Sequence, residues 1–282
     1  MTTNDPGGVS VGIVVVAAGL GTRLGAGMPK ALVRIGGRTL VEHAVARAQA
    51  WSSGDVRWSS SRGRPARDEP ADAGVSRPPS SGDPGWSSNR QRTARDEPAG
   101  VGVSRPPATR HAVVVVAPAS HLDEFRALAP EAIVVPGGAE RTDSVAAGLA
   151  ALPAEVDIVL VHDAARALAP ASLFAAVAAA VADGADAVVP GLPVTDTIKQ
   201  VDASGHVVAT PDRATLRAIQ TPQGFTRAAL ARAHADGVGA TDDAALVERQ
   251  GGRVLVIDGD PRAIKVTIPA DLETVDRLLA DG

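Results

Sequence analysis

Short apolar runs alternate with helical stretches along most of this chain, and that alternation is the strongest constraint on its fold. Runs of Val, Ile and Ala predict strands that are buried on both faces, and they cover residues 12–16, 112–116, 133–135, 158–161 and 187–189. Helical stretches cover residues 39–50, 121–128, 142–152 and 171–182. The pattern predicts an α/β fold with a doubly wound, mostly parallel sheet and helices on both of its faces.

One segment interrupts the alternation. Residues 52–79 and 80–107 form a tandem repeat that is rich in Ser, Arg, Pro and Gly and nearly free of Leu, Ile and Phe. Such a segment cannot bury enough apolar surface to offset the entropy lost on ordering. We therefore predict a disordered insertion over residues 52–110 within a single domain of residues 11–282, which follows a flexible N-terminus of residues 1–10. A basic arm for nucleic acid or membranes is the alternative interpretation of the repeat's arginines.

The region after Pro190 is less regular. Residues 193–209 fit a β-hairpin with a turn at residues 203–205. We expect an arm over about residues 191–217 that projects from the sheet and exposes Val194, Ile198, Val201 and Val207.

Composition excludes several classes of function. The chain has no cysteine, which excludes disulfides, thiolate metal sites and a cysteine nucleophile. Its net charge of −4 argues against nucleic acid as the main partner. The longest apolar stretch, residues 172–181, is too short to cross a bilayer, and the N-terminus does not resemble a signal peptide. We expect a cytoplasmic protein without a membrane or nucleic-acid partner.

The loop after the first strand combines glycines with cations. Gly19 and Gly21 let backbone N–H groups approach phosphate oxygens, and Arg23 and Lys30 follow closely. The loop lacks the Gly-Lys-Ser/Thr of a P-loop, and Leu24 stands where a dinucleotide fingerprint needs its third glycine. Two cations beside a glycine-rich loop suit a triphosphate under attack, because negative charge builds on its oxygens.

This loop resembles that of the nucleotidyltransferases that activate sugars and polyols. Among them, the blocks GTRLG…PKA, GGAERTDSV, VHDAAR, VTDTIK, QTPQ, TDDA and IKVT together resemble the 2-C-methyl-D-erythritol 4-phosphate cytidylyltransferase family. The resemblance extends from Val11 to about Asp281, apart from the insertion. It implies a Rossmann-like nucleotidyltransferase fold, a homodimer, and CMP transfer from CTP to methylerythritol phosphate with Mg²⁺ or another divalent cation. The alternatives are a ribitol-5-phosphate cytidylyltransferase, another sugar-phosphate nucleotidyltransferase, and a non-catalytic nucleotide-binding regulator.

The resemblance also implies roles for individual residues in binding CTP and in catalysis. The residues that would bind CTP are Ala17, Ala18, Gly19, Gly138, Ser144 and Ala164. Among these, Gly138 and Ser144 would read the cytosine edge. The implied catalytic residues are Arg23, Lys30 and Lys265. Ala139 departs from the family, since relatives often carry a polar residue beside the base.

The remaining roles concern the acceptor and the metal ion. The implied acceptor-binding residues are Arg166, Thr197, Arg213, Thr241 and Lys265, and the arm is expected to reach the neighbouring subunit. Asp163 closes the fourth predicted strand, where a carboxylate would lie near Mg²⁺. We interpret His162 as a packing residue and Lys199 as surface charge.

Overall fold

The structure, a computed structural model, describes residues 9–19, 21, 24–52, 111–237 and 239–280. The chain divides into one unit of Met1–Trp58 and Pro106–Gly282 and a second unit of Ser59–Arg105. The second unit lies wholly outside the described residues. So do almost all of the predicted disordered insertion and most of the predicted flexible N-terminus, and both stay predictions.

The described residues form twelve strands and seven helices. The strands are β1 (Val11–Val16), β2 (Arg34–Ile35), β3 (Arg38–Thr39), β4 (Ala112–Ala117), β5 (Ile133–Pro136), β6 (Ile158–Asp163), β7 (Ala187–Pro193), β8 (Gln200–Val201), β9 (Val207–Ala209), β10 (Arg217–Ile219), β11 (Gln223–Thr226) and β12 (Val254–Asp258). The helices are α1 (Leu40–Ser52), α2 (Leu122–Leu128), α3 (Arg141–Ala151), α4 (Ala171–Ala182), α5 (Arg227–His234), α6 (Asp243–Arg249) and α7 (Pro269–Ala280). All the predicted strands and helices are present, and β7 runs on to Pro193.

The main sheet of the described residues has the order β10-β7-β11-β6-β1-β4-β5, and β12 pairs with β7. The pairs β1–β4, β1–β6, β4–β5 and β7–β12 are parallel. Strands β10 and β11 run antiparallel to their neighbours, and the sequence pattern did not predict them. The sheet is therefore mixed but mostly parallel, which confirms the predicted fold class.

Helices cover both faces of the sheet, because the side chains of each strand alternate between two apolar layers. On β1, Ile13 and Val15 pack in the layer that includes Phe174 of α4. Val14 packs on the other face, in the layer that includes Val145 of α3 and Leu230 of α5. Along β1 both faces of the sheet are closed to water, which explains why this strand is a continuous apolar run in the sequence.

Helix α3 lies unusually close to the sheet at Gly148. A Cβ atom added there would lie 2.4 Å from Cγ1 of Val14, closer than two carbon atoms can approach. A glycine is therefore required at this helix position for the helix to keep its distance from β1.

The predicted hairpin is present as β8 and β9, which form a separate two-stranded sheet. The Asp202 carboxylate accepts the backbone N–H groups of Ser204 and His206 and closes the turn. Val201 and Val207 are exposed at 53% and 56%, as predicted for an arm, and Ile198 is exposed as well. Val194, in contrast, is partly buried.

The two ends of the predicted insertion lie side by side. The ring of Trp51, near the end of α1, contacts the ring of His111, just before β4, with centroids 4.3 Å apart. The core of the fold therefore needs only a short connection between these two residues. None of the described helices has the length and apolar character that crossing a bilayer requires.

Candidate functional site

A cleft of about 250 Å³ opens where β1 and β6 end and α3 begins. The carboxyl ends of parallel strands are the usual ligand-binding edge of an open α/β sheet. The lining includes nine residues that were predicted to bind a ligand or to act in catalysis, namely Ala17, Ala18, Gly19, Lys30, Gly138, Ser144, Asp163, Ala164 and Lys265, and it also includes Ala139. It also includes Glu140 and Arg141, to which the sequence reasoning gave no role.

The glycine-rich loop is folded back onto Lys30. The backbone N–H of Lys30 donates to the carbonyl of Gly19 at 3.3 Å. Gly21 has a positive φ of 64°, and a Cβ there would lie 2.5 Å from Cβ of Lys30. The loop can therefore bring its backbone close to Lys30 only with glycine at position 21. Arg23 lies outside the described residues, so its predicted role stays a prediction.

The start of α3 forms the opposite wall of the cleft. The Ser144 hydroxyl donates to the carbonyl of Glu140 at 3.1 Å and accepts the backbone N–H of Gly138 at 3.2 Å. A Cβ on Gly138 would lie 2.3 Å from Cβ of Asp143, so this turn also excludes a side chain. The N-terminus of the helix thus presents backbone groups and its positive dipole end to the cleft.

Asp163 and Lys265 form an ion pair at the centre of the site. The Lys265 ammonium donates to Oδ2 of Asp163 at 2.6 Å, and a guanidinium nitrogen of Arg141 lies 3.7 Å from Oδ1. Burial raises the pKa of the Asp163 carboxyl, but the charges of Lys265 and Arg141 outweigh burial and hold that pKa at about 2. Asp163 is therefore ionised under all ordinary conditions.

Arg141 extends this ion pair into the core. Its Nη1 donates at 2.7 Å to the carboxylate of Asp243, which is fully buried. The other Asp243 oxygen lies 2.9 Å from Nε2 of His234. Burial alone would lower the pKa of Arg141, but Asp243 and Asp163 raise it above its ordinary value. Arg141 and Asp243 lie in the GGAERTDSV and TDDA blocks, so the motifs indicated the segments but not this contact.

His162 supports the site from the interior. It is fully buried against Phe174, as expected of a packing residue, and its Nδ1 lies 3.1 Å from the Thr221 hydroxyl. The same hydroxyl accepts the backbone N–H of Asp163 at 3.0 Å. Burial lowers the pKa of His162 to about 4, so the ring is neutral in the folded protein near neutral pH.

Four residues predicted to contact the acceptor do not line this cleft, namely Arg166, Thr197, Arg213 and Thr241. Thr197 and Arg213 lie exposed in and beside the arm, where Nη1 of Arg213 donates to the carbonyl of Thr195 at 2.6 Å. Thr241 is exposed just before α6. Arg166 turns away from the cleft and donates to the carbonyls of Ala263 and Ile219. Their roles in acceptor binding stay predictions.

Two carboxylates line the cleft, those of Glu140 and Asp163. Among the described residues, no three His, Asp or Glu side chains are grouped in a way that could hold a metal ion. Mg²⁺ at nucleotide sites takes most of its ligands from phosphates and water, with one or two carboxylates. Asp163 is ionised and lies at the end of β6, so its chemistry fits the metal-binding role that the sequence predicted for it.

Two family profiles match the sequence. The profile described as IspD, 2-C-methyl-D-erythritol 4-phosphate cytidylyltransferase, matches residues 104–281, and that of the MobA-like NTP transferase domain matches residues 13–84. The first match alone covers more than half of the chain.

Curated and solved proteins agree with the first profile. A 2-C-methyl-D-erythritol 4-phosphate cytidylyltransferase of Streptomyces avermitilis is 41% identical over 98% of this chain and 94% of its own length. The bifunctional enzyme IspD/IspF of Clavibacter michiganensis is 44% identical over 97% of this chain, which spans 55% of that protein. The crystal structure of 2-C-methyl-D-erythritol 4-phosphate cytidylyltransferase from Thermus thermophilus is 29% identical, with a TM-score of 0.63 over 96% of this chain and 98% of that one.

Proposed function

Because the chain belongs to the 2-C-methyl-D-erythritol 4-phosphate cytidylyltransferase family, it is a CTP-dependent cytidylyltransferase of isoprenoid precursor biosynthesis, and we propose that the cleft between β1, β6 and α3 is its active site. The observation that carries this proposal is the convergence in one cleft of the glycine-rich loop, Lys30 and the Asp163–Lys265 pair. The products are 4-diphosphocytidyl-2-C-methyl-D-erythritol and pyrophosphate.

The transfer requires little proton chemistry. An oxygen of the acceptor's phosphate attacks the α-phosphorus of CTP, a new P–O bond forms, and the bond from the α-phosphorus to the pyrophosphate oxygen breaks. A phosphate monoester is already anionic, so no general base is needed. Lys30 and Arg23 neutralise negative charge on the triphosphate. Lys265, which is paired with Asp163, holds the acceptor's phosphate in line with the α-phosphorus.

The two walls of the cleft support the following nucleotide contacts. Ala17, Ala18 and Gly19 present backbone to the triphosphate, and Ala164 lies on the ribose side. Gly138 and Ser144 read the cytosine from the start of α3, where the Ser144 hydroxyl holds the backbone N–H of Gly138. A bound Mg²⁺ beside Asp163 would supply further charge neutralisation on the phosphates.

The acceptor site is completed by a second copy of the chain. The exposed apolar residues of the arm need a partner surface, since a two-stranded ribbon is marginally stable alone. In a homodimer the arm would bring Thr197 and Arg213 to the neighbouring cleft, and Thr241 would contact the acceptor from the segment just before α6. The cytoplasmic location expected from the sequence stays a prediction.

Product formation on a panel of acceptors tests this function. The purified protein with Mg²⁺ and CTP should release pyrophosphate when methylerythritol phosphate is added and give only background release without an acceptor. Ribitol 5-phosphate, erythritol 4-phosphate and glycerol 3-phosphate serve as matched acceptors. Equal or faster turnover with ribitol 5-phosphate would transfer the assignment to that reaction, and binding of CTP without turnover on any acceptor would indicate a regulator.

A further inference from the structure

Arg166 follows Asp163 closely in the chain, but its side chain points away from the cleft. Its Nη1 donates to the carbonyl of Ala263 at 2.7 Å, and its Nη2 donates to the carbonyl of Ile219 at 3.0 Å. Its Nε is buried and finds no acceptor among the described residues. Two nitrogens of the guanidinium thus bind backbone carbonyls, and Arg166 is not among the residues that line the cleft.

The carbonyl of Ala263 belongs to the segment that carries Lys265. Ala263 closes a 3-10 turn two residues before Lys265, and it is fully buried. One residue after Lys265, the backbone N–H of Val266 donates to the carbonyl of Ala165 at 2.8 Å. Hydrogen bonds from the loop after β6 therefore hold the chain on both sides of Lys265, and Arg166 supplies one of them.

A third contact fixes the same segment to the end of β10. The Gln220 side chain donates to the carbonyl of Asp260 and accepts its backbone N–H, each at 2.9 Å. Arg166 also donates to Ile219, the residue before Gln220. The segment that carries Lys265 is thus held against the sheet on one side and against the loop after Asp163 on the other.

We infer that Arg166 is a positioning residue that holds Lys265 on Asp163. The Lys265 side chain is 44% exposed, so its own packing does not fix the ammonium. Without the Arg166 contact, the backbone at Ala263 loses its anchor and the ammonium spends less time on the carboxylate. The consequence for catalysis rests on the proposed function, in which Lys265 aligns the acceptor. The position of the ammonium itself does not depend on that function.

Lysine labelling tests the inference without turnover, because the chain contains only Lys30, Lys199 and Lys265. An ammonium that is hydrogen-bonded to a carboxylate must leave it before its amine can react. Reductive methylation followed by peptide mass spectrometry measures each lysine, with Lys199 in the arm as internal reference. Arg166→Met should raise the labelling rate of Lys265 about threefold or more and leave the labelling rate of Lys199 unchanged. Asp163→Asn, which removes the carboxylate itself, gives the upper limit for the labelling rate of Lys265.

A double-mutant cycle provides the kinetic test. Arg166→Met and Lys265→Met should each lower kcat by about 10–100-fold, and the double variant should resemble Lys265→Met, because Arg166 acts through Lys265. Independent effects that multiply, or a rise confined to KM for the acceptor, would show that Arg166 contacts the acceptor directly and overturn the inference. Unchanged labelling of Lys265 would overturn it too, whatever the kinetics.

Two further variants exclude a general loss of stability. Arg227 also donates to backbone carbonyls, those of Pro153, Leu149 and Leu152, at the opposite end of β6. Arg227→Met should lower the melting temperature and leave both kcat and Lys265 labelling near wild type. Arg166→Lys keeps a cation that can donate to the carbonyl of Ala263, so Lys265 should still be labelled slowly in this variant, which replaces Arg166→Met if that protein does not fold. Fast labelling in a folded Arg166→Lys protein with wild-type kcat would contradict the inference. If the wild-type protein shows no turnover, the lysine-labelling experiment still tests whether Arg166 positions Lys265.

Discussion

The Arg141 guanidinium and the Asp243 carboxylate meet across 2.7 Å and join the first turns of α3 and α6, although 102 residues separate them in the chain. Asp243 is fully buried, and His234 contacts its second oxygen. The pair therefore fixes α6 to the helix that forms one wall of the cleft.

Asp243→Asn should lower the free energy of unfolding by about 3 kcal/mol, because it removes the closer of the two buried counter-ions of Arg141. Urea unfolding at neutral pH measures the difference. Asp123→Asn is the matched control, since Asp123 pairs with Arg126 on an exposed helix face and should change stability by less than about 0.5 kcal/mol. Equal effects of the two substitutions would mean that the buried pair contributes no more than a surface pair.

Lys30→Ala and Arg23→Ala should each lower kcat by about 10²–10³-fold, the usual cost of losing one donor to the transition state. Steady-state kinetics with CTP and methylerythritol phosphate measure this. Lys199→Ala, on the exposed arm, should stay near wild type. A variant that keeps its kcat and raises only KM would bind the ground-state phosphates instead.

Stability should fall as the pH drops from 6.5 towards 4. Burial lowers the pKa of His162 from 6.5 to about 4, so in this interval the unfolded chain binds a proton that the folded protein excludes. The free energy of unfolding should fall by about 3 kcal/mol in total, and the fall should be complete below pH 4. His162→Gln should flatten this part of the urea-derived stability profile, whereas His206→Gln on the arm should keep the wild-type slope. A wild-type slope in His162→Gln would assign the loss to other groups.

Deleting residues 53–109 should leave the melting temperature and kcat largely unchanged. Trp51 and His111 already lie in contact, so a short connection closes the gap between α1 and β4. Hydrogen exchange of the full-length protein should show that the backbone amides of residues 53–109 are unprotected. Strong protection there, or an inactive deletion variant, would show that the segment folds or binds a partner.

Mixing two inactive variants tests whether active sites are shared between subunits. Lys30→Ala and Arg213→Ala, unfolded and refolded together, should recover roughly a quarter of wild-type activity, because half of the dimers are mixed and each mixed dimer rebuilds one intact site. Each variant refolded alone is the control. A mixture as inactive as its parents would mean that each chain carries a complete site.

The sequence predicted the strands and helices whose pattern is local. Strand β1 is apolar over its whole length, and helix α4 buries Phe174, Val177 and Val181 in the core; the bounds of both agree with prediction within one residue. Strand β11 escaped prediction because Gln223-Gly224-Phe225-Thr226 shows no apolar run. Gly224 is needed there for close packing, since a Cβ would lie 2.5 Å from Cγ1 of Val177, and only the folded sheet reveals that neighbour.

The sequence motifs predicted which segments form the candidate site, but not the contacts between those segments. The blocks located Lys30, Ser144, Asp163 and Lys265, all of which line one cleft. The motif blocks could not show that two adjacent aspartates have different structural roles. In TDDA, Asp242 caps α6 by accepting the backbone N–H of Ala245, whereas Asp243 enters the core to meet Arg141. Both look like capping residues in sequence, and only the contact between distant segments separates them.

The close approach of α3 to β1 at Gly148 has a consequence for how this enzyme can diverge. Helix α3 brings Arg141 and Ser144 to the cleft, so the distance between α3 and β1 also sets the position of these two side chains in the cleft. Adding one methyl group at Gly148 would push the helix outward and widen the binding site from behind. A core position outside the lining of the cleft therefore affects the placement of Arg141 and Ser144, and a survey of the lining residues alone would overlook it.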